Sequence, residues 1–370
     1  MKKIITVVGA RPQFVKEAPV SKALKESHKY LEVIVHTGQH YDNNMSASFF
    51  EELAMQPPDY NLGVGSASQA LQTGEIMKRL EPVLKEESPE LVIVYGDTNS
   101  TLAAALTASK LHIPVAHVEA GLRSFNREMP EEINRVVADH VATFLFCPTT
   151  TAVQNLEKEG ITDNVFNTGD VMYDATLQFS QEAEEKSSIL RDLRLEKEEY
   201  ILATVHRAEN TDNRQRLFNI FSALKDLTRE ISVVVPLHPR TRKMLLHFML
   251  EDLLDGIKIQ EPVGFLDMVS LESNARLIAT DSGGVQKEAY FHQVPCVTLR
   301  DETEWVETVA AHWNVLANVE TVEGITETVR ASIAFSGVRP DIYEYGDGRA
   351  SQKIVRALER YLTGVGQTVI

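Results

Sequence analysis

Three carboxylates in the first half of the chain could do chemistry: Asp97 in LVIVYGDTNS and Glu119 in IPVAHVEAGLRS stand directly after apolar runs, and Glu131 in MPEEINR opens a helical pattern after Pro130. Each alone has a structural use. Asp97 could cap the next helix, as could Thr98, Asn99 or Ser100 after it, and Pro130-Glu131-Glu132 is ordinary punctuation for a helix start. Three carboxylates converging at one place are harder to explain that way. They raise one another's pKa and can divide acid and base roles between them. Gly121 would permit close backbone approach beside Glu119, and Arg123 is placed to hold that carboxylate ionised.

A second group of residues suits a phosphate. In ATDSGGVQKEA an apolar run ends at Ser282, Gly283 and Gly284 before a helical pattern. Glycines let backbone N–H groups approach phosphate oxygens, and a helix N-terminus favours their negative charge by about 0.3–2 kcal/mol. Glu288, about one turn on, is expected to accept from ribose hydroxyls. His206 and Arg207 in ILATVHRAEN can contact a pyrophosphate, although a loop histidine at that place needs no such role. Phe265 in EPVGFLDMVSL offers a flat face to a base and equally fits a core aromatic. At the N-terminus, GARPQF gives Gly9 for a tight turn and Arg11 at a strand end. It is not GxGxxG, so a nicotinamide cofactor has no motif here.

The elements that must position these groups follow one grammar. KIITVVG, EVIVHT, LVIVYGD, IPVAHVEA and FLFCP are short β-branched runs, each followed by an amphipathic stretch, which predicts βα units and a parallel sheet. A second series, YILATVH, ISVVVPLH, IKIQEPV, ARLIATDS, PCVTLR and NVLAN, follows the charged helical connector 181–200. The expected fold is α/β, with two Rossmann-like doubly wound domains facing across a cleft and ligands at the carboxyl ends of the strands. The expected N-terminal domain is 1–170, carrying the carboxylates, and the expected C-terminal one is 171–351. A terminal helix over 352–370, with Ile354, Val355, Leu358 and Leu362 at helical spacing, is expected to pack back on the first.

Composition narrows the partners. The 370 residues are 43% hydrophobic and 24% charged, with Lys plus Arg 37 against Asp plus Glu 53, a net charge of −16. That field repels phosphodiester backbones and anionic lipid, so neither nucleic acid nor a membrane is an expected partner. Cys147 and Cys296 sit apart in apolar stretches, against a disulfide framework or Cys-based metal site, and the expected compartment is the cytoplasm. The opening MKKIITVVGARPQ starts like a signal peptide, but its apolar run stops after about five residues and reads as a buried strand.

In order and over nearly the whole chain, GARPQ, GDTNS, HVEAGLRS, MPEEINR, VHRAEN, DSGGVQKEA and RDETE resemble the non-hydrolysing UDP-N-acetylglucosamine 2-epimerases. The resemblance implies a GT-B-like fold, a homodimer, an active site between the domains, and polysaccharide biosynthesis as setting. It makes Asp97, Glu119 and Glu131 the catalytic carboxylates and His206 the residue that meets the leaving diphosphate. Arg11, Ser282, Gly283, Gly284 and Glu288 match positions that hold UDP, and Phe265 falls where the uracil pocket is expected. No cofactor or metal is implied.

Two departures bear on substrate. Many members read ERPE where this chain has Glu304, Trp305, Val306 and Glu307. Gln39 and His40 match the site where some bacterial members bind a second, activating UDP-sugar, but Ser66 stands where an arginine is expected. Both departures resemble the branch that epimerises UDP-2,3-diacetamido-2,3-dideoxyglucuronate. A glycosyltransferase of the same fold and a non-catalytic UDP-sugar sensor are the alternatives from other classes. The first needs only one base, and the second has no use for clustered carboxylates.

Overall fold

The computed structural model describes residues 1–39, 56–341 and 343–362. The chain divides into two compact units, Met1–Ala175 with Tyr343–Ile370, and Thr176–Ile342. Among the described residues the first unit holds seven strands: β1 (Lys2–Val8), β2 (Tyr30–His36), β3 (Tyr60–Asn61), β4 (Leu91–Tyr95), β5 (Val115–Val118), β6 (Phe144–Cys147) and β7 (Val165–Asn167). They form one parallel sheet in the order β3-β2-β1-β4-β5-β6-β7. The central runs are apolar on both faces because helices cover both. Ile4, Ile5, Val7, Val8 and all of Leu91–Tyr95 are fully buried.

The second unit holds β8 (Tyr200–Thr204), β9 (Ser232–Pro236), β10 (Lys258–Gln260), β11 (Leu277–Thr280), β12 (Cys296–Thr298) and β13 (Asn314–Leu316). Its order, β10-β9-β8-β11-β12-β13, repeats the first, again all parallel. Each sheet reverses winding direction once, between β1 and β4 and between β8 and β11. The crevice outside the strand ends at such a reversal is where ligands bind in doubly wound sheets.

The charged segment 181–200 is helical, as expected. Its helices belong to the second unit, where Ile189, Leu190, Leu193 and Leu195 pack on a buried cluster with Tyr200, Leu202 and Leu271. The terminal helix Ala350–Leu362 buries Ile354, Val355, Leu358 and Leu362, and Tyr361 meets Phe144 edge-on at 4.6 Å. Among the described residues no helix is long and apolar enough to cross a membrane.

Candidate functional site

At the first reversal the chain leaves β1 at Gly9. A Cβ there would lie 2.1 Å from Thr37 Oγ1 and 2.2 Å from Ser100 Oγ, so this glycine is required by close packing and not by the shape of a turn. Arg11 is the first residue of the helix Arg11–Ser27, with Pro12 in its first turn. Gln13 joins the two central strand ends. Its Oε1 accepts from the N–H of Gly9 at 2.8 Å and of Ala10 at 3.1 Å, and its Nε2 donates to the Tyr95 carbonyl at 2.8 Å and Thr101 Oγ1 at 3.1 Å.

One turn further along that helix, Lys16 donates to Glu119 Oε2. Both side chains are nearly enclosed. Glu119 sits in the left-handed region at φ 71°, uncommon for a residue with a Cβ, at a cost of roughly 1–2 kcal/mol. Its N–H and that of Ala120 both donate to the Phe146 carbonyl at 3.1 Å, which bends the chain out of β5. Gly96, at φ 63°, makes room for this pair. A Cβ there would meet Glu119 Oε2 at 3.2 Å and Lys16 Nζ at 3.6 Å.

Asp97 is the next residue, and its Oδ2 accepts from Arg135 Nη2 at 2.5 Å. It does not cap the helix after it. Thr98 does, its Oγ1 accepting from the Thr101 N–H at 3.3 Å. Burial pushes the Asp97 carboxyl above its usual range, and the charges of Glu119 and Glu131 add to this against Arg135 and Lys16. Glu131 stands exposed in the first turn of the helix Pro130–Val141, near enough for its charge to act on Asp97. Its neighbour Glu132 is used otherwise. Buried, it accepts from the Ser124 N–H and Oγ and the Phe125 N–H, each at 2.9 Å, and these hold it ionised although burial opposes them.

Arg123 departs from expectation. It does not reach Glu119. Its Nη1 donates to Asp139 Oδ2, and its Nε and Nη2 grip Glu159, all at 2.7 Å, because Gly121 at φ 79° turns the chain toward the helix Thr150–Lys158. A cation that does meet Glu119 is Lys16, brought from another element. Gln39 is almost fully buried within this unit. Its Oε1 accepts from Ser100 N–H at 3.0 Å and Ser100 Oγ at 2.7 Å, closing the start of the helix Asn99–Lys110. His40 lies outside the described residues.

The second reversal is organised around Asp281, which is fully buried at the end of β11. Its carboxylate accepts from the N–H groups of His206 and Arg207 at 2.9–3.0 Å and from Asn210 Nδ2 at 3.1 Å, and lies 3.2 Å from His206 Nδ1. Burial opposes its charge, yet these contacts hold its pKa below the carboxylate range. The loop carrying His206 and Arg207 is therefore fixed by backbone bonds to one anion, and His206 Nε2 is the ring nitrogen not directed at it. His238 lies alongside, ring centroids 5.6 Å apart. Its Nδ1 accepts from the Arg240 N–H, so its ring proton is on Nε2.

Ser282 caps the helix Gly283–Phe291, accepting from the Val285 N–H at 3.5 Å. A Cβ on Gly283 would find Glu304 Oε2 at 3.6 Å, Trp305 Nε1 at 3.7 Å and Arg207 Nη2 at 3.8 Å, so Arg207 and the helix N-terminus converge. Gly284 is exposed beside it. The Trp305 indole donates to the Gly283 carbonyl at 2.8 Å, and Lys287 Nζ stands 4.4 Å from its ring centre. Glu304 is gripped by Arg300 at 3.0 and 3.1 Å. Glu288 is half-buried one turn into the helix and acts electrostatically on the fully buried Glu272. Phe265, the first residue of the helix Phe265–Ser273, is half-buried and meets Phe179 edge-on at 5.0 Å. Among the described residues no three His, Cys, Asp or Glu side chains are grouped to hold a metal ion.

Sequence reasoning passed over Lys16, Arg135, His117 and Asp281. Arg135 was within reach of it, one turn after Glu131 on the same face. Lys16 was not, since only the fold brings its helix to the end of β5.

Paired sheets with the Rossmann strand order, each presenting polar groups at its reversal, make this a nucleotide-handling α/β protein of the GT-B-like class. The family model described as UDP-N-acetylglucosamine 2-epimerase matches residues 22–359. A Methanococcus maripaludis protein named a UDP-N-acetylglucosamine 2-epimerase homolog is 53% identical over 363 residues, covering 96% of this chain and 99% of that one. A Pseudomonas aeruginosa UDP-2,3-diacetamido-2,3-dideoxy-D-glucuronate 2-epimerase is 47% identical over 364 residues, covering 97% and 99%. The solved Methanocaldococcus jannaschii UDP-GlcNAc 2-epimerase in complex with UDP-GlcNAc and UDP superposes with TM-score 0.83 at 45% identity, covering 97% and 99%. The chain belongs to the UDP-N-acetylglucosamine 2-epimerase family, a family of isomerases.

Proposed function

We propose that the chain interconverts UDP-N-acetylglucosamine and UDP-N-acetylmannosamine by eliminating UDP to a 2-acetamidoglucal and adding it back. The carrying observation is the pairing at the first reversal. Two carboxylates from different loops, Asp97 and Glu119, each meet a cation from a different helix, and burial keeps Asp97 unusually ready to hold a proton.

Carbon 2 of such a sugar has no adjacent carbonyl, so its proton leaves only as the anomeric oxygen departs. One carboxylate takes the carbon-2 proton, and the C–H electron pair becomes the carbon 1–carbon 2 double bond. The carbon 1–oxygen bond breaks with its pair going to UDP. In the return step a proton is delivered to the other face of carbon 2 and the diphosphate oxygen re-forms the bond to carbon 1. Two faces need two proton-handling groups, assigned here to Asp97 and Glu119. Glu131 adds negative charge for the oxocarbenium-like anomeric centre.

At the nucleotide end, Ser282, Gly283 and Gly284 offer the helix N-terminus to the diphosphate, with Arg207 and Arg11 supplying charge. His206, oriented by Asp281, meets the leaving oxygen. Glu288 accepts from the ribose and Phe265 flanks the uracil. A cytoplasmic homodimer is the expected form.

A second substrate has its own support. Trp305 stands where many members carry arginine, and the Pseudomonas aeruginosa relative at 47% identity acts on a diacetamido-glucuronate. Incubating the protein with each UDP-sugar separately, without nicotinamide or metal, and following anomeric signals by NMR distinguishes them. Formation of the 2-epimer from UDP-N-acetylglucosamine supports the reading. Turnover of the diacetamido sugar alone moves the substrate and keeps the mechanism. Silence with both overturns it in favour of a transferase or a sensor.

A further inference from the structure

Beside the carboxylate cluster lies a histidine that the proposed chemistry does not use. His117 is fully buried on β5, two residues before Glu119, whose charge acts on it. Its Nδ1 is 2.7 Å from Asp139 Oδ1, and its Nε2 is 2.7 Å from the Gly96 carbonyl oxygen. A carbonyl oxygen can only accept. Asp139 also accepts from Arg123 Nη1 at 2.7 Å and from the Gly121 N–H at 3.1 Å, the environment of an ionised carboxylate. With an acceptor at each ring nitrogen, both nitrogens must donate, so the ring is an imidazolium.

Its Gly96 contact is the peptide bond leading into Asp97. The carbonyl of Asp97 itself is held by Asn134 Nδ2 at 2.9 Å, so the peptide groups on both sides of the Asp97 α-carbon are clamped. We propose that His117, on the reading of the reaction given above, is a positioning residue. As a buried cation it fixes the backbone that aims Asp97 and supplies permanent positive charge behind Glu119. The charge of Asp139 supports the doubly protonated ring against the penalty of burial, and Glu119 acts on it in the same direction. That interaction is reciprocal: a cation held beside Glu119 favours its carboxylate form. The chain Gly96–His117–Asp139–Arg123–Glu159 alternates sign along its charged members, so the positive charge at His117 is held without a net buried charge.

The other charged groups around the cluster set the background against which His117 acts. They are Lys16 from the first helix, Arg135, Glu131 and Asp139 from the helix Pro130–Val141, and Arg123 after β5. All remain in a His117 variant, so a shift in the pH profile reports the loss of this one cation.

The test combines a spectrum with kinetics. Side-chain 15N–1H NMR of the wild-type protein, assigned by the signal lost in His117→Gln, is expected to show two slowly exchanging ring N–H groups at neutral pH. A single N–H, the mark of a neutral ring, overturns the proposal, and His117→Asn supplies the same assignment if His117→Gln does not fold. His117→Asn preserves the Asp139 contact and His117→Gln the Gly96 contact, and both remove the charge. Each is expected to lower kcat about 10–100-fold with KM within about threefold, and to move the acid limb of the kcat profile up by about one pH unit. A merely structural histidine would lower Tm but leave kcat per UDP-binding molecule, and the acid limb, unmoved, which contradicts the proposal. Wild-type protein silent on both UDP-sugars would instead fail the reading of the reaction, recognisably so because the wild type is the control.

Discussion

The two reversal points share strand order and sign of residue but spend their carboxylates differently. At the second, Asp281 is saturated by two backbone N–H groups, an asparagine and a histidine. At the first, Asp97 and Glu119 meet side-chain cations, and Asp97 is raised, not lowered. A strand-end carboxylate bound by backbone is scaffolding, and one held by side-chain cations and raised by burial can exchange a proton. Glu132, held by two backbone N–H groups, falls on the scaffolding side for the same reason, and Asp139, although held by His117 and Arg123, joins it because those contacts depress it as they do Asp281.

The largest effect should separate the two directly. Asp97→Asn is expected to lower turnover about 10²–10⁴-fold while UDP affinity stays within about threefold, measured by NMR and by UDP titration. Comparable losses in both would place Asp97 in the scaffold. Asp281→Asn should do the reverse, since an amide puts donors against donors. UDP affinity should fall at least about tenfold and the second unit lose roughly 1.5–3 kcal/mol, read by titration and chemical denaturation. Gly9→Ala should cost about 1–3 kcal/mol of stability by overpacking against Thr37 and Ser100, whereas Gly283→Ala, with only ordinary contacts nearby, should leave Tm nearly unchanged.

The smallest effect is a sign. Asp139 and Asp281 are depressed in the folded state, where His117 and Arg123 hold the first and the His206 loop holds the second against burial. Their contribution to stability is present above the unfolded carboxylate value and disappears as pH falls through the folded one. Asp97 is raised by burial, so its contribution is present below the unfolded value and disappears as pH rises through the folded one. At neutral pH, Asp97→Asn should therefore hold or raise Tm while Asp139→Asn and Asp281→Asn lower it. Scanning calorimetry across pH reads all three, and a Tm loss in Asp97→Asn would show the carboxylate to be structural.

Much of the fold was legible because buried parallel strands are continuous apolar runs. Every run singled out in the sequence is a strand, from KIITVVG to NVLAN. The strands passed over, Tyr60–Asn61 and Val165–Asn167, are two and three residues long at the sheet edges, too short and too exposed for a periodic signal. The segment 181–200 is helical as expected, and four apolar residues among its acidic ones do the packing. In the site, the motifs located strand ends but not partners. Arg123 was placed on Glu119 by nearness in sequence, whereas Lys16 arrives from about a hundred residues away. His117 was visible within HVEAG, but only the position of Gly96 and Asp139 reveals that both its nitrogens donate.

The central claim is proton exchange at carbon 2 by the first unit's carboxylates, and it is tested most directly in D2O. Wild-type protein incubated with UDP-N-acetylglucosamine, and separately with the diacetamido-glucuronate, without nicotinamide or metal, is followed by NMR at carbon 2. Deuterium entering that carbon in step with formation of the 2-epimer is the predicted result. Epimer formed with the original hydrogen retained would contradict the account, because no base would then have released that proton to solvent.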